Sequence, residues 1–189
     1  MALYTGKGDG GTTKVFDSTE RISKASALPE TLGTLDELNS YVGFAKVRAT
    51  GESDPEVVIE GTTEYTSKIL HEVQELLFVV QAEVAGAEKL VSEERVKWVE
   101  GIVNGIEMEL PPITTFTISG GTELSAILDI ARTISRRAER RVVGLEDLGL
   151  RTLSPSTKAF MNRLSSLLFA LARLASLRAG LERESPSYR

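Results

Sequence analysis

The stretch from Leu124 to Val142 places two demands on any fold that contains it. Leu124, Ile127, Ala131, Ile134, Ala138 and Val142 recur at threes and fours, the period of a helix with one buried face. Beside that face, Arg132, Arg136, Arg137, Arg140 and Arg141 crowd into the run "ARTISRRAERRV". At about 100° per residue, Arg132, Arg136 and Arg140 form one stripe with Glu139 on its edge, and Arg137 and Arg141 fall on the far flank. Like charges four residues apart repel, so the stripe weakens its own helix unless anions answer it. The guanidinium fork suits carboxylate and phosphate oxygens. The segment therefore reads as a core helix that doubles as a polyanion clamp.

That cluster sits on an acidic body. The chain of 189 residues has a net charge of −5, which excludes a general nucleic-acid binder and makes the arginines a local site. Its length is sufficient for one domain with a full core. It has no cysteine, so disulfides, thiolate catalysis and cysteine metal sites are excluded, and a cytoplasmic location is expected. The start "MALYTGKGDGG" has no apolar h-region, and no apolar run is long enough to span a bilayer.

Helical periodicity returns along most of the chain. Residues 1–30 are rich in Gly, Thr, Ser and Lys without a period and read as an ordered or ligand-ordered loop. Leu32, Leu35, Leu38, Val42 and Ala45 predict a helix from Thr31 to about Arg48. After the breaker "GESDP", Asp54 as N-cap and Pro55 at the first helical position predict a long helix to about Val84, with Gly61 as a weak spot. Its stripe is Ile69, Val73, Leu76, Leu77, Val80 and Val84. Ser92 opens a shorter helix to about Gly105, and Pro111-Pro112 rules out helix in the connector that follows. The arginine helix runs from about Thr122 to Val143, "GLEDLGLRTLS" is a loop, and Ser154-Pro155 starts a last helix to about Ala179. Five helices with short connections imply a bundle of antiparallel type.

The residues with chemical potential are few. "TGKGDGGTT" holds glycines whose backbone N–H groups can curl around an anion, with Lys7 as a point charge; a plain flexible terminus is the other reading. It is not a Walker loop, because Thr12 stands where that motif needs Lys. Arg21 and Lys24 in "RISK" add a second basic element. Asp36 and Glu37 read as a solvated helix face, or as carboxylates that orient an arginine of the stripe. His71 lies in an amphipathic helix and is expected to be structural. On the last helix, Phe169 among Asn162, Ser166 and Arg173 reads either as a subunit contact or as a single exposed Phe. No protein nucleophile is evident, so an enzyme of this kind would take its nucleophile from a substrate.

Taken in order, the blocks "YTGKGDGGTT", "RISK", "GTLDELNS", "FTISGGT", "ARTISRRAERRV" and "NRLSSLLFALAR" resemble the PduO-type ATP:cob(I)alamin adenosyltransferases over nearly the whole chain. The resemblance implies an all-α, ferritin-like five-helix bundle. It would form a single domain over 1–189, with an N-terminal nucleotide-binding loop at 1–30, the bundle at 31–180 and a short tail at 181–189. It implies a homotrimer with active sites between neighbouring subunits. It also implies transfer of the 5′-deoxyadenosyl group of ATP to Co(I) of a reduced corrinoid, giving adenosylcobalamin and triphosphate. By the same resemblance, Thr5, Gly6, Lys7, Gly8, Thr13 and Lys24 form the N-terminal part of the ATP site. Arg136, Arg137, Ala138, Glu139 and Arg140 form its helical part, and Asn162 adds a contact from the last helix.

In that scheme Arg136 stabilises the leaving triphosphate, Arg132 pairs with Asp36, and Phe116 packs under the corrin and favours four-coordinate cobalt. Mg²⁺ bridges the phosphates, with no protein metal ligands assigned. A flavoprotein or other corrinoid reductase and an adenosylcobalamin-dependent mutase are the implied partners. Ser119 where the family often has Pro, Ser166 where many members carry Asp, and Gly6 where some have Lys are local departures that bear on affinity. A polyphosphate-sensing module would explain the loop and the stripe without explaining Phe116. A purely structural oligomer leaves the stripe without a purpose.

Overall fold

The computed structural model describes residues 3–188 apart from 17, 52, 53 and 60. Five α-helices carry the described fold: α1 Ala27–Gly51, α2 Thr66–Ala85, α3 Glu93–Glu109, α4 Glu123–Asp147 and α5 Pro155–Arg178. Two small antiparallel pairs accompany them, β1 Thr12–Thr13 with β2 Ile22–Ser23 and β3 Glu56–Ile59 with β4 Thr62–Tyr65. Helix α4 packs against α1 and α5, α1 against α2, and α3 against α5. Among the described residues no helix is long and apolar enough to cross a membrane.

The core follows the predicted stripes. Leu35, Leu38, Val42 and Ala45 of α1 are buried, as are all six α4 residues from Leu124 to Val142 and the α5 seam of Phe160, Leu164, Leu167, Leu171 and Ala175. The caps foreseen at Ser92 and Ser154 form: their side chains accept from the N–H groups of Arg95 and Thr157. Glu83 of α2 reinforces the second one, accepting from Ser154 N at 2.6 Å and Thr157 Oγ1 at 2.5 Å.

Four boundaries differ from the expectation by about four residues or more, each for a local reason. Helix α1 starts at Ala27, because Pro29 is tolerated in a first turn and Leu28 is buried. The segment expected to begin the second helix at Asp54 is the β3–β4 hairpin instead. Its Val57-Val58-Ile59 run favours strand, and Gly61 at φ +79° belongs to the turn rather than to a helix interior. Asp54 still caps α2, but from across the hairpin: Oδ1 accepts from Ser67 N at 2.8 Å and Oδ2 from Ser67 Oγ at 2.5 Å. Of the breaker before it, residues 52 and 53 lie outside the described residues.

Helix α3 continues past Gly105 to Glu109. A Cβ at Gly105 would sit 2.9 Å from the Val58 carbonyl oxygen, so the missing side chain is what lets the hairpin lie on α3. Helix α4 likewise passes Gly144, because Leu145 is fully buried beyond it. The helix stops at Gly149, whose φ of +65° lets its own N–H reach Glu146 O and that of Leu150 reach Leu145 O. The connector to α5 is then held by Glu146, which accepts from Leu153 N at 2.9 Å and pairs with Lys158 at 3.0 Å.

Phe160 is the largest fully buried side chain, and it sits in the first third of α5. Truncating it leaves a cavity that a bundle of fixed helices cannot close. Phe160→Ala is therefore expected to cost about 3–5 kcal/mol of unfolding free energy in a denaturant titration.

Candidate functional site

The N-terminal loop is shaped by its own side chains. Gly6 and Gly11 take φ values of +68° and +74°, closing turns in which Asp9 N donates to Gly6 O and Gly11 N to Gly8 O. Lys24 N donates to Gly11 O at 2.9 Å, and the Lys24 ammonium lies against Gly8, where a Cβ would stand 2.9 Å from Nζ. Arg21 is the tie between the two ends of the loop. Its guanidinium donates to Lys7 O at 2.6 Å, to Thr12 O at 2.7 Å and to Thr12 Oγ1 at 2.9 Å. Lys7, Gly8, Thr13 and Lys24 thus come together within one small, Arg21-bound unit, with Thr5 Oγ1 accepting from Lys7 N at 3.4 Å. No hydrogen bond or ion pair among the described residues joins this unit to α4.

On α4 four of the five arginines divide into two kinds. Those of the flank are answered by α1: Arg137 pairs with Glu37, and Arg141 lies 3.4 Å from Glu30. Arg136 and Arg140 are exposed and have no carboxylate partner among the described residues; Arg140 Nη1 donates to the Arg136 carbonyl at 3.0 Å. Two neighbouring guanidiniums therefore face outward with their charges unanswered, the condition of an anion site. Ala138 is fully buried behind them. Asn162 of α5 is fixed beside them, donating from Nδ2 to Glu139 at 2.9 Å and accepting from Arg163 at 2.9 Å, while Arg163 pairs with Glu100 at 3.0 Å.

One turn earlier, Arg132 lies in a different environment. Its Nε is 3.7 Å from Asp129, buried, and without a hydrogen-bond partner. Asp36 is exposed on α1, and within the chain no ion pair among the described residues joins it to Arg132. Phe169 is half-buried beneath the guanidinium carbons of Arg132, Arg173 and Arg183, at 5.8, 5.9 and 5.9 Å from the ring centre. The face expected to meet either solvent or another subunit is thus partly covered by this chain's own arginines. Burial, with the neighbouring Arg183 charge, pushes the Arg173 guanidinium below its ordinary value.

Phe116 sits on the connector between α3 and α4 and is 80% exposed, with Ile113 and Ile118 also exposed. At the end of this loop Gly120 N donates to Asp129 at 3.1 Å, which ties the loop to the Arg132 end of α4. His71 is exposed on α2 without a hydrogen bond among the described residues, so it is no part of the core. The sequence reading overlooked Asp129 and Arg183. They form a buried pair at 2.8 Å, and the three-residue step from Asp129 to Arg132 was the available signal.

Among the described residues no cluster of three or more His, Cys, Asp or Glu side chains could hold a metal ion.

The cobalamin adenosyltransferase family model matches residues 3–175. The corrinoid adenosyltransferase of Bacillus subtilis (strain 168) is 34% identical over 185 residues, covering 96% of this chain and 90% of that protein. The corrinoid adenosyltransferase PduO of Salmonella typhimurium is 33% identical over 92% of this chain, which spans 49% of that protein's length. Among solved structures, a phenylalanine-to-alanine variant of the PduO-type ATP:corrinoid adenosyltransferase from Lactobacillus reuteri, complexed with cobalamin and ATP, aligns with a TM-score of 0.83. The match has 30% identity and covers 98% of this chain and 99% of that one. An arginine-to-lysine variant from the same organism, complexed with ATP, aligns with a TM-score of 0.82 at 29% identity over 97% of this chain and 99% of that one. With this agreement in sequence and fold, the chain belongs to the cobalamin adenosyltransferase family.

Proposed function

We infer that the protein is an ATP:corrinoid adenosyltransferase, and that its arginine helix holds the departing triphosphate. The observation that carries the reading is the pair Arg136 and Arg140, exposed and without a carboxylate partner among the described residues, on the helix whose Asp129 accepts from Gly120 N at the end of the loop that bears Phe116. Co(I) of the reduced corrinoid supplies the electron pair and attacks C5′ of ATP. The cobalt–carbon bond forms, the C5′–O bond breaks, and its electrons leave on the triphosphate oxygen. Charge on that oxygen grows as the bond breaks, so guanidinium donors aimed at it lower the barrier more than they tighten substrate binding. Arg136 takes this role. Thr5, Gly6, Lys7, Gly8, Thr13 and Lys24 form the N-terminal part of the ATP site, Arg137, Ala138, Glu139 and Arg140 join Arg136 in its helical part, and Asn162 adds a contact from the last helix. Mg²⁺ neutralises phosphate charge when bound.

Phe116 offers the corrin an apolar face in place of a lower axial ligand, leaving four-coordinate cobalt. Arg132 keeps 27% of its side chain exposed, and Asp36 is exposed without an ion pair to it among the described residues, which supports a pairing across a subunit boundary. The same reading takes the assembly to be a homotrimer with active sites between neighbouring subunits. The reading includes one domain over 1–189, a cytoplasmic location, and supply and use of the corrinoid by a reductase and a mutase.

The deciding experiment mixes reduced cobalamin with ATP and follows the cobalt–carbon absorption bands together with triphosphate release. ATP binding without either signal would make the protein a nucleotide-sensing module. Arg136→Ala is expected to lower kcat by ~10²-fold or more, as for other lost donors to a developing anion; near-normal turnover would remove the role. Asp36→Asn should weaken adenosylation with the melting temperature kept, and unchanged kinetics would count against the Asp36–Arg132 pairing. Arg21→Ala releases three loop acceptors, so the KM for ATP should rise roughly tenfold while that for corrinoid stays put. Steady-state kinetics with each substrate varied in turn checks this.

A further inference from the structure

Residues 181–185 leave the end of α5 and lie along the loop that bears Phe116. We propose that this C-terminal strap positions the Phe116 loop for the corrinoid, and that Arg183 pins the strap in place. The proposal rests on the reading of Phe116 given above.

Five contacts build the arrangement. Arg183 enters the bundle with 6% of its side chain exposed and meets Asp129, itself 4% exposed, at 2.8 Å and 3.4 Å through two nitrogens. The same guanidinium donates to Ser125 Oγ at 2.6 Å. Asp129 also accepts from Gly120 N at 3.1 Å, so one carboxylate holds the strap and the end of the loop together. Beyond this anchor, Glu184 O accepts from Ile118 N at 2.8 Å, and the hydroxyls of Ser185 and Thr115 are 2.8 Å apart. Phe116 lies between those two attachment points.

The loop needs such help. It has no regular secondary structure, and Gly120 and Gly121 at φ +116° and +114° leave its end with little intrinsic stiffness. Gly121 also lets Ser176 approach, since a Cβ there would stand 2.8 Å from Ser176 Oγ. A cavity of about 350 Å³ opens between the loop, α5 and the strap, with Phe169, Arg173 and Arg183 in its wall. A buried ion pair adds little net stability, but it fixes geometry, and a guanidinium reaching Ser125 and both oxygens of Asp129 does so where an ammonium could not. Arg183 touches neither substrate in this scheme; it is a positioning residue.

The test compares four full-length variants or truncations with the wild type: Arg183→Ala, Arg183→Lys, a chain ending at Arg183, and Phe116→Ala. The readouts are KM and kcat for each substrate and the spectrum of Co(II) corrinoid bound with ATP, which separates four- from five-coordinate cobalt. Circular dichroism melting reports folding. Arg183→Ala and the shortened chain are expected to lower kcat/KM for corrinoid roughly 10- to 100-fold and to shrink the four-coordinate signal. The KM for ATP should change by less than about twofold, with Arg183→Lys restoring only part of the loss. If Arg183→Ala fails to fold, the shortened chain decides, because it keeps the buried pair and lacks only the loop attachments. Wild-type spectrum and corrinoid KM in the folded shortened chain, with both altered in Phe116→Ala, overturn the strap alone. A wild-type spectrum in Phe116→Ala overturns the Phe116 reading and the strap's purpose with it.

Discussion

Everything in this molecule is arranged around a helix that must be apolar on one side and cationic on the other. Helix α4 buries Leu124 to Val142 between α1 and α5, and that packing holds five guanidiniums at close spacing despite their repulsion. The repulsion is only partly relieved inside the chain. Glu37 and Glu30 neutralise the flank at Arg137 and Arg141, and Asp129 takes Arg183 and the edge of Arg132. Arg136 and Arg140 are exposed and have no carboxylate partner among the described residues. The division separates arginines that join helices from arginines available to a ligand.

The same helix sets the distance between the two halves of the chemistry. Arg132 and Arg136 are one turn apart, about 6 Å along the axis. On the Arg132 side lie Phe169, the Phe116 loop and the strap; on the Arg136 side lie Arg140, Glu139 and Asn162. A large apolar ring system and a polyanionic tail could therefore be presented to each other across a few ångströms on a rigid support, which suits a reaction whose nucleophile belongs to one substrate and whose leaving group belongs to the other. The glycine loop is bound to itself through Arg21 and packs Val15 and Ile22 against the core of the bundle.

Much of this could be read from the sequence because helical periodicity is strong where a bundle is strongest. The stripes of α1, α4 and α5 and the caps at Ser92 and Ser154 depend on residues a few positions apart, which a sequence displays directly. The hairpin was hidden because Asp54-Pro55 is a good helix start in isolation; the branched run from Val57 to Ile59 and the partner surface at Gly105 override it. Gly144 suggested a stop, but burial of Leu145 carries the helix through. The Asp129–Arg183 pair was the least legible feature. It joins residues 54 positions apart, and only the step from Asp129 to Arg132 hints at it.

The cap that Asp54 provides for α2 has a further consequence. The first turn of that helix receives no side-chain bond from its own N-cap, Tyr65; the carboxylate comes from the far side of the hairpin, and Pro55 O accepts from Thr66 as well. The hairpin cannot lift off without unfastening the start of α2, and α2 cannot fray there without freeing the hairpin. These two elements are thus one unit of local opening, and their amide protons should exchange with solvent in concert rather than as a loose appendage beside a stable rod.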